Sequence, residues 1–112
     1  MEIESATQAL SALAQSHRLR AFRLLIRAGE AGMAAGAIAQ HLDLPPSTLS
    51  FHLTQMEKAG LIAARRVERH IFYRVDIGAV RALLSFLLED CCQGAPEACA
   101  LLLDEALAAC CG

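Results

Sequence analysis

All five cysteines of the 112-residue chain fall between positions 91 and 111: Cys91 beside Cys92, then Cys99, then Cys110 beside Cys111. Thiolates are soft ligands and good nucleophiles. Such a cluster therefore fits capture of a soft ion, a redox or persulfide switch, or, as small hydrophobes, the packing of an apolar helix. Met1-Glu2-Ile3-Glu4 lacks the basic stretch of a secretion signal, and no charge-free apolar run reaches the ~18 residues of a membrane span. The expectation is a cytoplasmic chain with no membrane partner, and in that reducing compartment clustered cysteines bind metal or do redox chemistry more often than they form a disulfide framework.

The rest of the chain must position these thiols and give them something to control. At 112 residues it makes one domain, 1–112, with a thiol-rich segment at 90–112. A composition that is 55% hydrophobic, with one Tyr and no Trp, holds more apolar material than a small monomer hides, so a homodimer is expected. Charge is segregated: residues 16–75 carry nine Lys/Arg against four acids, net +5, whereas residues 77–112 carry Arg81 against five acids, net −4. A basic middle and an acidic tail indicate two tasks, and the basic part fits the phosphates of nucleic acid.

Periodicity gives the elements. Ala6, Ala9, Leu10 and Leu13 predict a helix over 4–14, and Ser16 is placed to cap a second over 17–28, with Leu19, Phe22, Leu25 and Ile26 on one face and Gly29 at its end. A third helix is expected over Met33–Leu42. Asp43-Leu44-Pro45-Pro46 then breaks the chain, and Pro46 opens a fourth helix that Gly60 stops, with Leu49, Leu53 and Met56 inward. The period next changes to that of strands at 62–67 and 71–75 around a tip at Glu68-Arg69-His70, which lacks the glycine or asparagine usual in such turns. Asp76 caps a fifth helix whose stripe runs Val80, Leu83, Leu84, Leu87, Leu88, Cys91; Gly94 and Pro96 interrupt it, and a last helix covers 97–109. The expected fold class is mainly α with a small β-hairpin, in the order α-α-α-α-β-β-α-α: a winged helix-turn-helix.

In that arrangement the fourth helix offers small and polar residues to a major groove: Ser47, Thr48, Ser50, Phe51, Thr54 and Gln55, with Phe51 suited to a thymine methyl. His52 belongs to the same set, as a base contact or as a buried hydrogen-bonding residue. Arg65, Arg66, Arg69 and His70 on the hairpin can hold phosphates or reach the minor groove. The stretch from Leu42 to Leu53 with its Ser50-Phe51-His52-Leu53 core, the Ala59-Gly60-Leu61 exit and the Tyr73-Arg74 pair in the second wing strand resemble the ArsR/SmtB family of bacterial metalloregulatory repressors over about residues 8–92. The resemblance implies a homodimer on palindromic double-stranded operator DNA, with the first and fifth helices at the dimer interface.

Members of that family carry inducer sites at different places. The third helix has no cysteine and no histidine follows His70, so two of the family's site types are missing, while Cys91, Cys92 and Cys99 resemble the C-terminal Cys-Cys…Cys site of arsenite-responsive members. Three thiolates without histidine suit a trigonal-pyramidal As(III) or Sb(III) inducer; tetrahedral Zn(II) would need a fourth ligand, which Asp90 or Glu97 could supply. Adjacent helical cysteines point about 100° apart, so both reach one ion only where the helix frays, as Gly94 and Pro96 allow. Cys110 and Cys111 are a secondary candidate. The expected function is a repressor that releases its operator on binding As(III) or Sb(III), the alternative being a thiol redox or persulfide-responsive repressor of the same fold. An enzyme of arsenate-reductase type is disfavoured, because no Cys-x5-Arg pattern exists and no Lys or Arg follows Arg81. A zinc-stabilised interaction domain without DNA binding is disfavoured by the basic winged region.

Overall fold

The computed structural model describes residues 1–89 and 96–111, with backbone alone for Pro96, Ala98, Cys99 and Cys111. Its elements are α1 (Ile3–Leu13), α2 (Ser16–Ala28), β1 (Met33–Ala34), α3 (Ala35–Leu42), α4 (Pro46–Lys58), β2 (Ile62–Val67), β3 (His70–Val75), α5 (Ile77–Leu88) and α6 (Pro96–Cys111). The expected winged helix-turn-helix is present. A single core joins Ala6, Ala9 and Ala12 of α1, Ala21 and Leu25 of α2, Ile38 of α3, Leu49, Leu53 and Met56 of α4, and Leu61, Ile62, Tyr73 and Val75 of the wing base. Small residues on α1 let that helix lie close to its neighbours, while Leu25, Ile38, Leu49, Leu53, Met56 and Leu61 fill the centre.

The turn between α3 and α4 follows from its residues. Asp43 takes the left-handed conformation (φ 56°) and the Leu44 amide bonds back to the Ala39 carbonyl at 3.0 Å, closing α3. Pro46 then occupies the first turn of α4, where its missing N–H costs nothing. At the other end Gly60 (φ 80°) lets the Leu61 amide reach the Met56 carbonyl at 3.1 Å, which turns the chain into β2. The wing is a regular antiparallel ladder from Ile62↔Val75 to Val67↔His70. Asp76 caps α5 as expected, its Oδ1 accepting from the Ala79 amide at 3.1 Å.

The structure departs from the sequence reading in five places. Met33 does not open the third helix: Gly32 (φ 70°) turns the chain so that Met33 and Ala34 pair with Tyr73 and Phe72, adding a third strand in the order β1-β3-β2. Ser16 is the first helical residue and the cap is Gln15, whose side chain accepts from the Arg18 amide at 2.9 Å. The wing tip is two residues, Glu68-Arg69, since His70 already pairs with Val67. The fifth helix ends at Leu88; Cys91, which the sequence reading put on its stripe, lies with Cys92 and Gly94 outside the described residues. The last helix runs from Pro96 to Cys111, beyond the expected 97–109. Among the described residues no helix is long and apolar enough to cross a membrane.

Candidate nucleic-acid interface

Helix α4 is two-faced. Leu49, Leu53 and Met56 are buried at helical spacing, which turns Ser47, Thr48, Ser50 and Phe51 outward to solvent and leaves Thr54 and Gln55 half-exposed. Phe51 is 56% exposed, unusual for a residue that could have joined an apolar core. Its neighbourhood explains how the ring is held: it meets the His52 ring in an edge-type pair at a centroid distance of 5.7 Å and an interplanar angle of 63°, and the Arg18 guanidinium lies over it, 5.7 Å from its centroid.

His52, grouped by the sequence with the groove-facing residues, lies behind that face. It is 7% exposed, the one buried polar side chain among the described residues, and its Nδ1 accepts a hydrogen bond from Arg18 Nε at 3.1 Å. Of its two alternatives, base contact or buried hydrogen-bonding residue, this geometry is the second. The physical reason is position: His52 falls between Leu49, Leu53 and Met56 on the inward side of α4, and an imidazole there needs an internal partner. Burial lowers its pKa, and the charge of Arg18 and then of His17, whose ring lies 5.7 Å away, push it the same way. Neutral His52 with a free Nδ1 lone pair is the form that the bond to Arg18 requires.

The wing carries its charge outward. Arg65, Arg66, Arg69 and His70 are all exposed. The pairing puts Arg65 opposite Phe72 and Arg66 opposite Ile71, and alternation along the strand sends the two arginines to opposite faces of the ribbon. Glu68 adopts φ 57° at the tip, a left-handed conformation that a side chain beyond Gly, Asn or Asp disfavours. Helix α4 packs against β2, which sets the wing beside the exposed face of that helix.

Cys91 and Cys92 lie outside the described residues, the backbones of Cys99 and Cys111 belong to α6, and Cys110 is an exposed free thiol. Arg18 is the residue that the sequence reading did not single out as part of the site. Its partner is 34 positions away, and its local pattern, one of four arginines on α2, carries no mark of that contact.

An exposed, polar second helix of a helix-turn-helix followed by a basic hairpin defines a winged helix-turn-helix DNA-binding protein. A helix-turn-helix domain model matches residues 13–65. The nodulation protein NolR of Rhizobium meliloti is 34% identical over 86 residues, spanning 77% of this chain and 68% of that protein. The transcriptional activator HlyU of Vibrio cholerae is 29% identical over 84 residues, 75% of each. The chain therefore belongs to the ArsR family of winged helix-turn-helix transcriptional regulators. Solved structures agree. The homodimeric winged helix-turn-helix DNA-binding domain of a possible ArsR-family regulator from Mycobacterium bovis superposes with a TM-score of 0.63 at 27% identity, covering 79% of this chain and 82% of that one. Reduced HlyU from Vibrio cholerae gives 0.60 at 26% identity, covering 76% and 86%. A possible transcriptional regulator for arsenical resistance gives 0.58 at 29% identity, covering 87% and 94%.

Proposed function

We propose that the chain is a homodimeric repressor that occupies a palindromic operator and leaves it when As(III) or Sb(III) binds Cys91, Cys92 and Cys99. The observation that carries the DNA-binding half is the exposed face of α4, from Ser47 to Phe51, beside a wing whose Arg65, Arg66 and Arg69 are all free to meet phosphates. Dimerisation is supported by apolar side chains that stay exposed among the described residues, Ile3 and Leu10 on α1 and Leu84 and Leu87 on α5, the last two 52% and 50% exposed. It is supported also by the homodimeric state of the similar Mycobacterium bovis domain. Two-fold symmetry in the protein then calls for two-fold symmetry in the operator.

The sensing half rests on the donor set. Three thiolates with no histidine beyond His70 suit a soft, three-coordinate ion, and the likeness to a possible transcriptional regulator for arsenical resistance supports an arsenic species as the inducer. Cys91 follows the last residue of α5 by three positions, so an ion that draws Cys91 and Cys92 toward Cys99 acts on the end of a helix with exposed leucines. A coupling of ~1–3 kcal/mol between that site and the operator lowers DNA affinity from about fivefold to over a hundredfold. Operator binding titrated with As(III), Sb(III), Cd(II), Zn(II) and an oxidant tests the proposal: release is expected with As(III) and Sb(III) at stoichiometric concentrations. Release by oxidant alone favours the second reading, a thiol switch, which gains support from the likeness to a regulator solved in its reduced form.

A further inference from the structure

Arg18 reaches from the first turn of α2 to the recognition helix, and its contacts there divide in two. Its Nε donates to buried His52 Nδ1 at 3.1 Å, and its guanidinium lies over the exposed Phe51 ring, 5.7 Å from the centroid. Adjacent residues of one helix point about 100° apart, so a single arginine that engages both must bridge the inward and outward sides of α4. The same arginine borders a groove shared with Gln55 and Lys58 of α4 and Thr7, Gln8 and Ser11 of α1, and no acidic side chain lines it. No carboxylate there competes with His52 and Phe51 for the guanidinium. An aromatic ring that is half in water has several orientations open to it, and a cation fixed over one of its faces removes most of them.

We propose that Arg18 is a positioning residue for sequence reading: anchored by His52, it fixes the Phe51 ring in the orientation in which that ring meets a thymine methyl in the major groove. This rests on the DNA-binding reading above and adds to it which residue outside the recognition helix sets part of the base preference. Arg18 acts through Phe51 and need not touch a base. Its guanidinium is required, because the Nε bond to His52 and the contact over the Phe51 ring use different parts of one extended group; lysine keeps the charge, but its single ammonium cannot hold both places at once.

The test uses the full chain. Its preferred duplex is selected from a randomised pool, and each thymine of that duplex is then replaced by uracil, which removes only the methyl. At one thymine position per half-site the wild-type protein is expected to lose about two- to fivefold in affinity, the loss of one buried methyl-sized group. Phe51→Ala abolishes that difference. Arg18→Lys and Arg18→Met reduce it toward one, with unfolding curves confirming that the variants are folded; Arg18→Lys decides if Arg18→Met is not. The proposal is overturned if a folded Arg18 variant keeps the full thymine preference, if it weakens thymine and uracil duplexes equally, or if no thymine-to-uracil change matters to the wild type. Failure of the wild-type protein to select any sequence would instead overturn the DNA-binding reading on which the proposal stands.

Discussion

Replacing His52 by leucine separates the buried hydrogen bond from the space the ring fills. Leucine is apolar and of similar bulk, so the cavity left on the inward side of α4 is small, and the main loss is the acceptor for Arg18 Nε. A hydrogen bond to a charged group contributes ~1.5–3 kcal/mol, and because Arg18 is only half-buried, water recovers part of it, leaving a net loss of about 1–2 kcal/mol. At about 4 °C per kcal/mol for a chain of this size, His52→Leu lowers the melting temperature by about 4–8 °C at neutral pH, measured at matched protein concentration. The pH dependence sharpens the test. The folded protein holds His52 below its ordinary pKa, so between the folded and unfolded values the unfolded chain binds more protons. The wild type's advantage is therefore fully present above the ordinary histidine value of about 6.5 and is lost as pH falls through the folded pKa. Other titrating groups are common to both proteins and cancel in the difference. A stability gap that is absent at neutral pH, or that stays constant from about pH 8 to about pH 5, would refute the reasoning.

Four further substitutions probe the scaffold and the wing. Gly32→Ala sets a Cβ against the Tyr73 carbonyl oxygen in a left-handed backbone conformation, so the β1–β3 pairing must open; a loss of about 2–4 kcal/mol is expected in urea unfolding, and a loss under about 0.5 kcal/mol would contradict the turn described. Glu68→Gly relieves the left-handed strain at the wing tip and removes an acid from among Arg65, Arg66 and Arg69. Stability should rise by about 0.5–1 kcal/mol and DNA affinity should rise with it, whereas a fall in stability would mean that the tip is held otherwise. Arg65→Ala and Arg69→Ala should each weaken binding nearly evenly across sequences and reduce the slope of log affinity against log salt by about 1; a change confined to one sequence would make them base readers.

The helix-turn-helix was legible because its signals are local: Asp43 before two prolines, Gly60 after an apolar stripe, and a change of period at Leu61 each act within a few residues. The exposure of Ser47, Thr48, Ser50 and Phe51 followed from the same stripe. What could not be read are pairings made across the chain. Met33 and Ala34 become a strand only because β3 passes beside them some 40 residues later. His52 could be kept as base contact or buried partner, and the choice depended on Arg18, whose approach is fixed by how α2 packs on α4. Apolar pattern also overstated burial: Leu10, Leu19, Ile26, Leu84 and Leu87 all follow helical spacing yet are exposed in one chain, while the alanines Ala6, Ala12 and Ala21 do more of the close packing. Composition anticipated surplus apolar surface, but which helices carry it needed the fold.

The most direct measurement of the central proposal is arsenite-driven operator release in two sets of variants. Fluorescence anisotropy of a labelled operator should fall on titration of wild type with As(III), and fall equally for the doubly substituted Cys110→Ser, Cys111→Ser protein. Cys91→Ser and Cys99→Ser should each bind the operator as wild type does and stay bound at the same arsenite concentration. Release that persists in Cys91→Ser and Cys99→Ser, or that disappears when Cys110 and Cys111 are replaced, would contradict the assignment of the sensing site.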